Sequence, residues 1–111
     1  MDYKIKSRIW IEADGNILLG EGRVHLLKAI GETGSLSKAA KSLGMSYKKA
    51  WALIDAVNSR AKKPVCTSSI GGKRGGGTEL TTYGKSLINT FETINENCWK
   101  FLDTQISKSN L

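Results

Sequence analysis

The sequence predicts an α+β fold that is mainly helical. Three observations carry that reading. Apolar residues recur at helical spacing in several separate segments, glycine and serine punctuate those segments, and two short strand-prone runs flank the segment GGKRGGG at 71–77. The elements can be justified in chain order.

Residues 4–11, KIKSRIWI, alternate Lys4, Lys6 and Arg8 with Ile5, Ile9 or Trp10, and Ile11. A period of two predicts a strand with one buried face, imperfect near Trp10. Asp14, Gly15 and Asn16 form a turn, and Ile17–Leu19 lead through Gly20 into a first helix. In that helix Val24, Leu27, Ala29 and Ile30 supply the buried stripe, and Glu21 complements the positive end of the helix dipole. Gly31 to Gly34 close it, and Ser35 caps the next helix.

The stretch SLSKAAKSLGMSYKKAWALI, residues 35–54, reads as a helix-turn-helix. Leu36, Ala39, Ala40 and Leu43 fall at i, i+3, i+4 and i+7, on one face. Gly44 stands where the first helix must stop, in a backbone conformation that glycine reaches cheaply. Ser46 is a natural N-cap for the second helix, whose inner face is Ala50, Leu53, Ile54 and Val57. Ala40 and Ala50 are small enough to let the two helices cross closely. Left outside are Ser35, Ser37, Lys38, Lys41, Ser46, Tyr47, Lys48 and Lys49, the hydroxyl and ammonium groups that contact phosphates and base edges. The plainer alternative is a helical hairpin with a lysine-rich solvent face. The second helix is expected to run to about Lys63, where Pro64 stops it.

Val65–Ser69 and Thr78–Thr81 suit two short strands. With the glycine loop between them they make a β-hairpin at about 65–81, the wing of a winged helix-turn-helix, with Lys73 and Arg74 at its tip. A spectator hairpin is the alternative. A last helix should run from about 82 to 107, with Tyr83, Leu87, Phe91, Ile94, Cys98, Trp99 and Leu102 stepping by three and four. Its distal part, Phe91, Ile94, Cys98, Trp99 and Leu102, is more apolar surface than one small domain needs. It predicts a dimer interface. A helix that folds back on the first helix and the Trp10 strand is the alternative.

Length and charge agree with this plan. The 111 residues make a single domain, large enough to bury a core without disulfides or metals. The net charge of +7 is concentrated: residues 28–85 hold eleven basic and three acidic side chains, the flanks six and seven. Such a distribution points to a polyanion-binding face rather than to general solubility. The chain shows no membrane-spanning run, lipidation signal or signal peptide, and a cytoplasmic location is expected. Cys66 and Cys98 have no CxxC or Cys–His context, so reduced thiols are expected and a zinc site is not. His25 is a surface or partly buried residue, since no cysteine or carboxylate motif serves it.

Glycine loops also cradle nucleotides. Gly84-Lys85-Ser86 presents the second half of a Walker A motif, but Glu79 stands where the first glycine is required. A dinucleotide fingerprint would need a βαβ unit that the chain does not supply. No paired carboxylates, Ser/His/Asp set or metal cluster is visible, so neither an enzyme nor a cofactor is expected.

GSLSKAAKSLGMSYKKAWALIDAVNS followed by PVCTSSIGGKRGGGTELTTYGKSLI resembles the N-terminal DNA-binding domain of ModE-type molybdate-responsive regulators, a winged helix related to that of LysR-type regulators. The resemblance covers about residues 5–92. It implies a homodimer on palindromic operator DNA, with the Ser46–Lys49 helix start and the Lys73–Arg74 wing as its contacts. Family members carry molybdate-binding modules after this domain; only a terminal helix follows the wing here, so no molybdate site is expected within these residues. The expected function is a sequence-specific regulator of transcription that binds double-stranded DNA. A winged helix adaptor whose positive face meets an acidic protein is the alternative.

Overall fold

The structure is a computed structural model describing residues 1–69 and 77–111. In chain order it contains β1 (Trp10–Ala13), β2 (Asn16–Gly20), α1 (Glu21–Thr33), α2 (Leu36–Ser42), α3 (Tyr47–Arg60), β3 (Cys66–Ser69), β4 (Gly77–Leu80) and α4 (Thr82–Lys108). The strands form two separate antiparallel hairpins, β1–β2 and β3–β4. The fold is a winged helix-turn-helix with a long C-terminal helix.

The N-terminal strand differs from expectation. Residues 4–9 are not paired in a sheet; β1 begins only at Trp10 and pairs with β2, a strand where the sequence suggests only a lead into α1. Asp14 (φ 52°) and Gly15 (φ 81°) form the two-residue loop of this hairpin, which demands positive φ at both positions. The alternation in 4–9 is nevertheless real. Ile5, Ser7 and Ile9 are half-buried while Lys4, Lys6 and Arg8 are exposed, and Ser7 Oγ lies 3.7 Å from Cys98 Sγ of α4. An extended chain lying along a helix has the same period as a strand in a sheet. Ile9, not Trp10, turns inward: Trp10 is exposed and donates its indole N–H to Glu12 Oε2 at 3.0 Å.

Leu26 joins Val24, Leu27, Ala29 and Ile30 in the buried stripe of α1. The helix continues through Gly31, where the missing side chain leaves room for Leu80 of β4: a Cβ there would lie 2.9 Å from Leu80 Cδ1. The stop falls at Gly34, left-handed at φ 68°, whose N–H reaches Ile30 O. Ser35 Oγ then accepts from Lys38 N–H at 3.1 Å, and Ser46 Oγ from Lys49 N–H at 3.1 Å, so both serines cap as expected. Gly44 is also left-handed, at φ 67°. Leu43 departs from the expected inner face. It ends α2, stays exposed, and the half-buried Met45 packs on the core in its place.

The second motif helix stops at Arg60, three residues short of Lys63. The chain turns back early because the side chain of Asn58 captures it: Asn58 Oδ1 accepts from Val65 N–H at 2.7 Å and from Cys66 N–H at 3.2 Å, and Nδ2 donates to Cys66 O at 3.1 Å. Thr81 fixes the other side of the wing root, donating its hydroxyl to Pro64 O at 2.7 Å while Oγ1 caps α4 by accepting from Gly84 N–H at 2.9 Å.

One apolar cluster draws on nearly every element, from Leu19 of β2 through α1, α2 and α3 to Val65, Ile88 and Phe91. Transfer of such side chains from water, about 1.5–3 kcal/mol each, is the main force holding the motif helices in place. Beyond Phe91 the 27-residue α4 extends away from this core, and the molecule measures 61 × 30 × 22 Å.

Candidate nucleic-acid interface

The outward face of the motif is built by the two capped helix starts. With Leu36, Ala39 and Ala40 buried on α2 and Ala50, Ile54 and Val57 on α3, the positions opposite them face solvent. Ser37, Lys38, Lys41, Ser46, Tyr47, Lys48 and Lys49 are all exposed, and Ser35 is half-buried. Each cap serine uses an oxygen lone pair on a backbone N–H, which leaves its O–H able to donate to a phosphate.

Three of these residues converge. Ser35, Ser37 and Tyr47 line one notch with Ser68 and Ser69 of β3 and Thr78 of β4, a hollow of about 280 Å³ rich in hydroxyls and free of carboxylates. The wing is positioned by backbone: β3 and β4 pair Cys66 with Leu80 and Ser69 with Gly77, and Thr78 N–H donates to Gly34 O at 3.0 Å beside the Ser35 cap. The wing root is thus locked to the start of the helix-turn-helix. The tip residues Lys73 and Arg74 lie outside the described residues.

The basic residues of the segment do not all serve this face. Lys28 Nζ bonds Glu92 Oε2 at 2.8 Å and links α1 to α4; that hydrogen bond, with the carboxylate's charge, raises the lysine pKa. Arg60 Nη1 donates to Ile17 O at 2.7 Å, at the end of α3 opposite the Ser46 cap. Its charge, after burial itself, lowers the pKa of the neighbouring Arg23. Lys38, Lys41, Lys48 and Lys49 carry no ion pair among the described residues and supply the positive charge of the motif.

One large side chain on this face escaped the sequence reading. Trp51, one turn after Tyr47, is 54% exposed and Tyr47 57%. The signal was available in their i, i+4 spacing on the outer face.

The residues expected at a dimer seam divide. Phe91 is 2% exposed and belongs to the protomer's own core. Cys98, Trp99 and Leu102 are half-buried, on the face of α4 that meets the N-terminal segment through Ser7. Ile94, 47% exposed, and Phe101, 61% exposed and absent from the sequence reading, stand two turns apart on open surface. Gly84, the first residue of the failed Walker-like triplet, has a packing role: a Cβ there would lie 2.3 Å from Val65 O. Among the described residues no cluster of His, Cys, Asp or Glu could hold a metal ion, and no helix is long and apolar enough to cross a membrane. His25 is exposed.

A capped helix-turn-helix with a hairpin locked beside it defines the winged helix class of regulatory proteins. Residues 22–85 match the family described as bacterial regulatory helix-turn-helix protein, lysR family, and the chain belongs to that family. Among curated proteins it is similar to the molybdenum transport protein ModE of Azotobacter vinelandii, 38% identical over 88 residues, 79% of this chain and 33% of that protein. It is 44% identical over 93 residues to the molybdenum-pterin-binding protein MopB of Rhodobacter capsulatus, covering 84% of this chain and 34% of that protein. The DNA-binding transcriptional dual regulator ModE of Escherichia coli (strain K12) is 42% identical over 72 residues, 65% of this chain and 28% of that protein. The chain therefore spans about a third of the length of these relatives.

Proposed function

We propose that this protein is a sequence-specific regulator of transcription that binds double-stranded DNA as a homodimer on a palindromic operator. The observation that carries the reading is the outward face of α2 and α3, which exposes Lys38, Lys41, Lys48 and Lys49 without ion pairs among the described residues and shares a hydroxyl-lined notch with the wing root. The α3 start, Ser46 to Lys49, enters the major groove; Lys38, Lys41, Ser35 and Ser37 hold the backbone, and Lys73 and Arg74 extend the contact from the wing. The relatives' names, among them a DNA-binding transcriptional regulator, support the same reading. Its place of action is the cytoplasm.

Two features support a dimer. One motif reads too few base pairs to select a site, so two half-sites are needed. The protruding α4 offers the exposed Ile94 and Phe101 to a second copy.

Selection of bound sequences from a random duplex pool tests this. The pool should converge on two inverted half-sites with centres about 10 base pairs apart or a multiple of that. In the enriched duplex, Lys48→Ala or Lys49→Ala should relax preference at one position if it touches a base edge, or weaken all sequences alike if it touches phosphate. A pool that never converges would refute sequence-specific binding.

A further inference from the structure

Tyr47, Trp51 and Asp55 follow one another at i, i+4 and i+8 along the exposed side of α3. The two aromatic residues sit in different surroundings. Tyr47 lines the hydroxyl-rich notch, which holds no carboxylate. Trp51 lines an adjoining cleft of about 110 Å³ between α3 and the wing root, which shares Ser68 and Thr78 with the notch but adds Asp55. The carboxylate of Asp55 makes that cleft repel phosphate, so a DNA backbone belongs at the first hollow and not at the second. What can approach Trp51 is the floor of the groove. There the one apolar group a base pair displays is the C5 methyl of thymine. A half-exposed indole, one turn deeper into α3 than the Tyr47 start, has the chemistry to meet it.

We infer that Trp51 is a specificity-determining residue that packs its indole against a thymine methyl in the major groove, while the Tyr47 notch receives phosphate. This rests on the DNA-binding reading above. The division of labour explains why a large apolar side chain is carried outward amid lysines, where it adds nothing to the protomer's core.

The test uses the full chain and duplexes that it selects from a random pool, resynthesised with deoxyuridine in place of thymidine. Removing each contacted methyl should weaken wild-type binding about fourfold, the factor for burying one such group. Trp51→Ala should bind the thymidine duplex more weakly than wild type and respond little to uracil. Its salt dependence should match wild type, since no phosphate contact is lost. The inference is overturned if wild type binds both duplexes equally, or if the variant keeps the full uracil penalty. The wild-type comparison needs no variant to fold. Wild-type protein that binds no duplex at all would instead overturn the DNA-binding reading itself, and this inference with it.

Discussion

The side-chain amide of Asn58 stands in for a neighbouring strand beside Cys66. It accepts the Cys66 N–H at 3.2 Å and donates to the Cys66 carbonyl at 3.1 Å, and the same oxygen takes the Val65 N–H at 2.7 Å. Val65 and Cys66 are buried, so water cannot replace these bonds. One residue of α3 thereby fixes where the wing begins. Asn58→Ala should cost about 1–3 kcal/mol by urea denaturation, the range for orphaning buried backbone groups. Asn58→Asp, which keeps the acceptor and loses the donor, should fall between. A cost within about 0.5 kcal/mol, ordinary for a surface change, would show that the amide is dispensable.

Gly84 and Val65 make the second joint of the wing root. Because the atom a Cβ would strike is a backbone oxygen at 2.3 Å, no side-chain rotation relieves the contact. Gly84→Ala should destabilise the fold by about 1–3 kcal/mol despite its better helix propensity. A variant that melts at or above the wild-type temperature would contradict the close approach.

Burial pushes the Cys66 thiol up to about 11 from an ordinary 9.0. The folded state therefore holds the thiol proton more tightly than the unfolded chain does. Its contribution to stability is complete below pH 9.0 and is lost as pH rises toward about 11. Denaturation midpoints measured across that window should fall more steeply for wild type than for Cys66→Ala. In the native protein at pH 8, a thiol reagent should modify the half-buried Cys98 well before Cys66. Equal rates would contradict the burial.

Most of the fold was legible because its signals are local. Ser35, Gly44 and Ser46 punctuate the helix-turn-helix within a few residues, and the caps they predict are present. What misled were signals whose meaning depends on a distant partner. The alternation of Lys4–Ile9 reports one buried face, and whether a strand or α4 covers it is decided some ninety residues away, at Cys98. The β1–β2 hairpin was announced by Asp14-Gly15, yet its second strand, NILLG, carries no alternation, and its register shifts between Ile11 and Glu12. The end of α3 was set by Asn58 reaching forward to Val65, which Pro64 alone does not reveal. On the outer face of the motif, lysines and serines stood out by type, whereas a tryptophan declares no role by type, and its exposure beside Tyr47 is what singles Trp51 out.

The distal part of α4 makes a further prediction. Ile94→Glu with Phe101→Glu changes two exposed side chains, so helical content should hold. If this face joins two copies, sedimentation should drop from dimer to monomer, and affinity for an inverted repeat should fall toward that for a single half-site. A variant that stays dimeric would place the interface elsewhere.

Binding of DNA through the positive face of α2, α3 and the wing is tested most directly by the salt dependence of affinity. If each protomer neutralises about four or five phosphates, fluorescence anisotropy on a duplex should give a log–log slope of roughly −7 to −9 for the dimer. A slope near zero would contradict it.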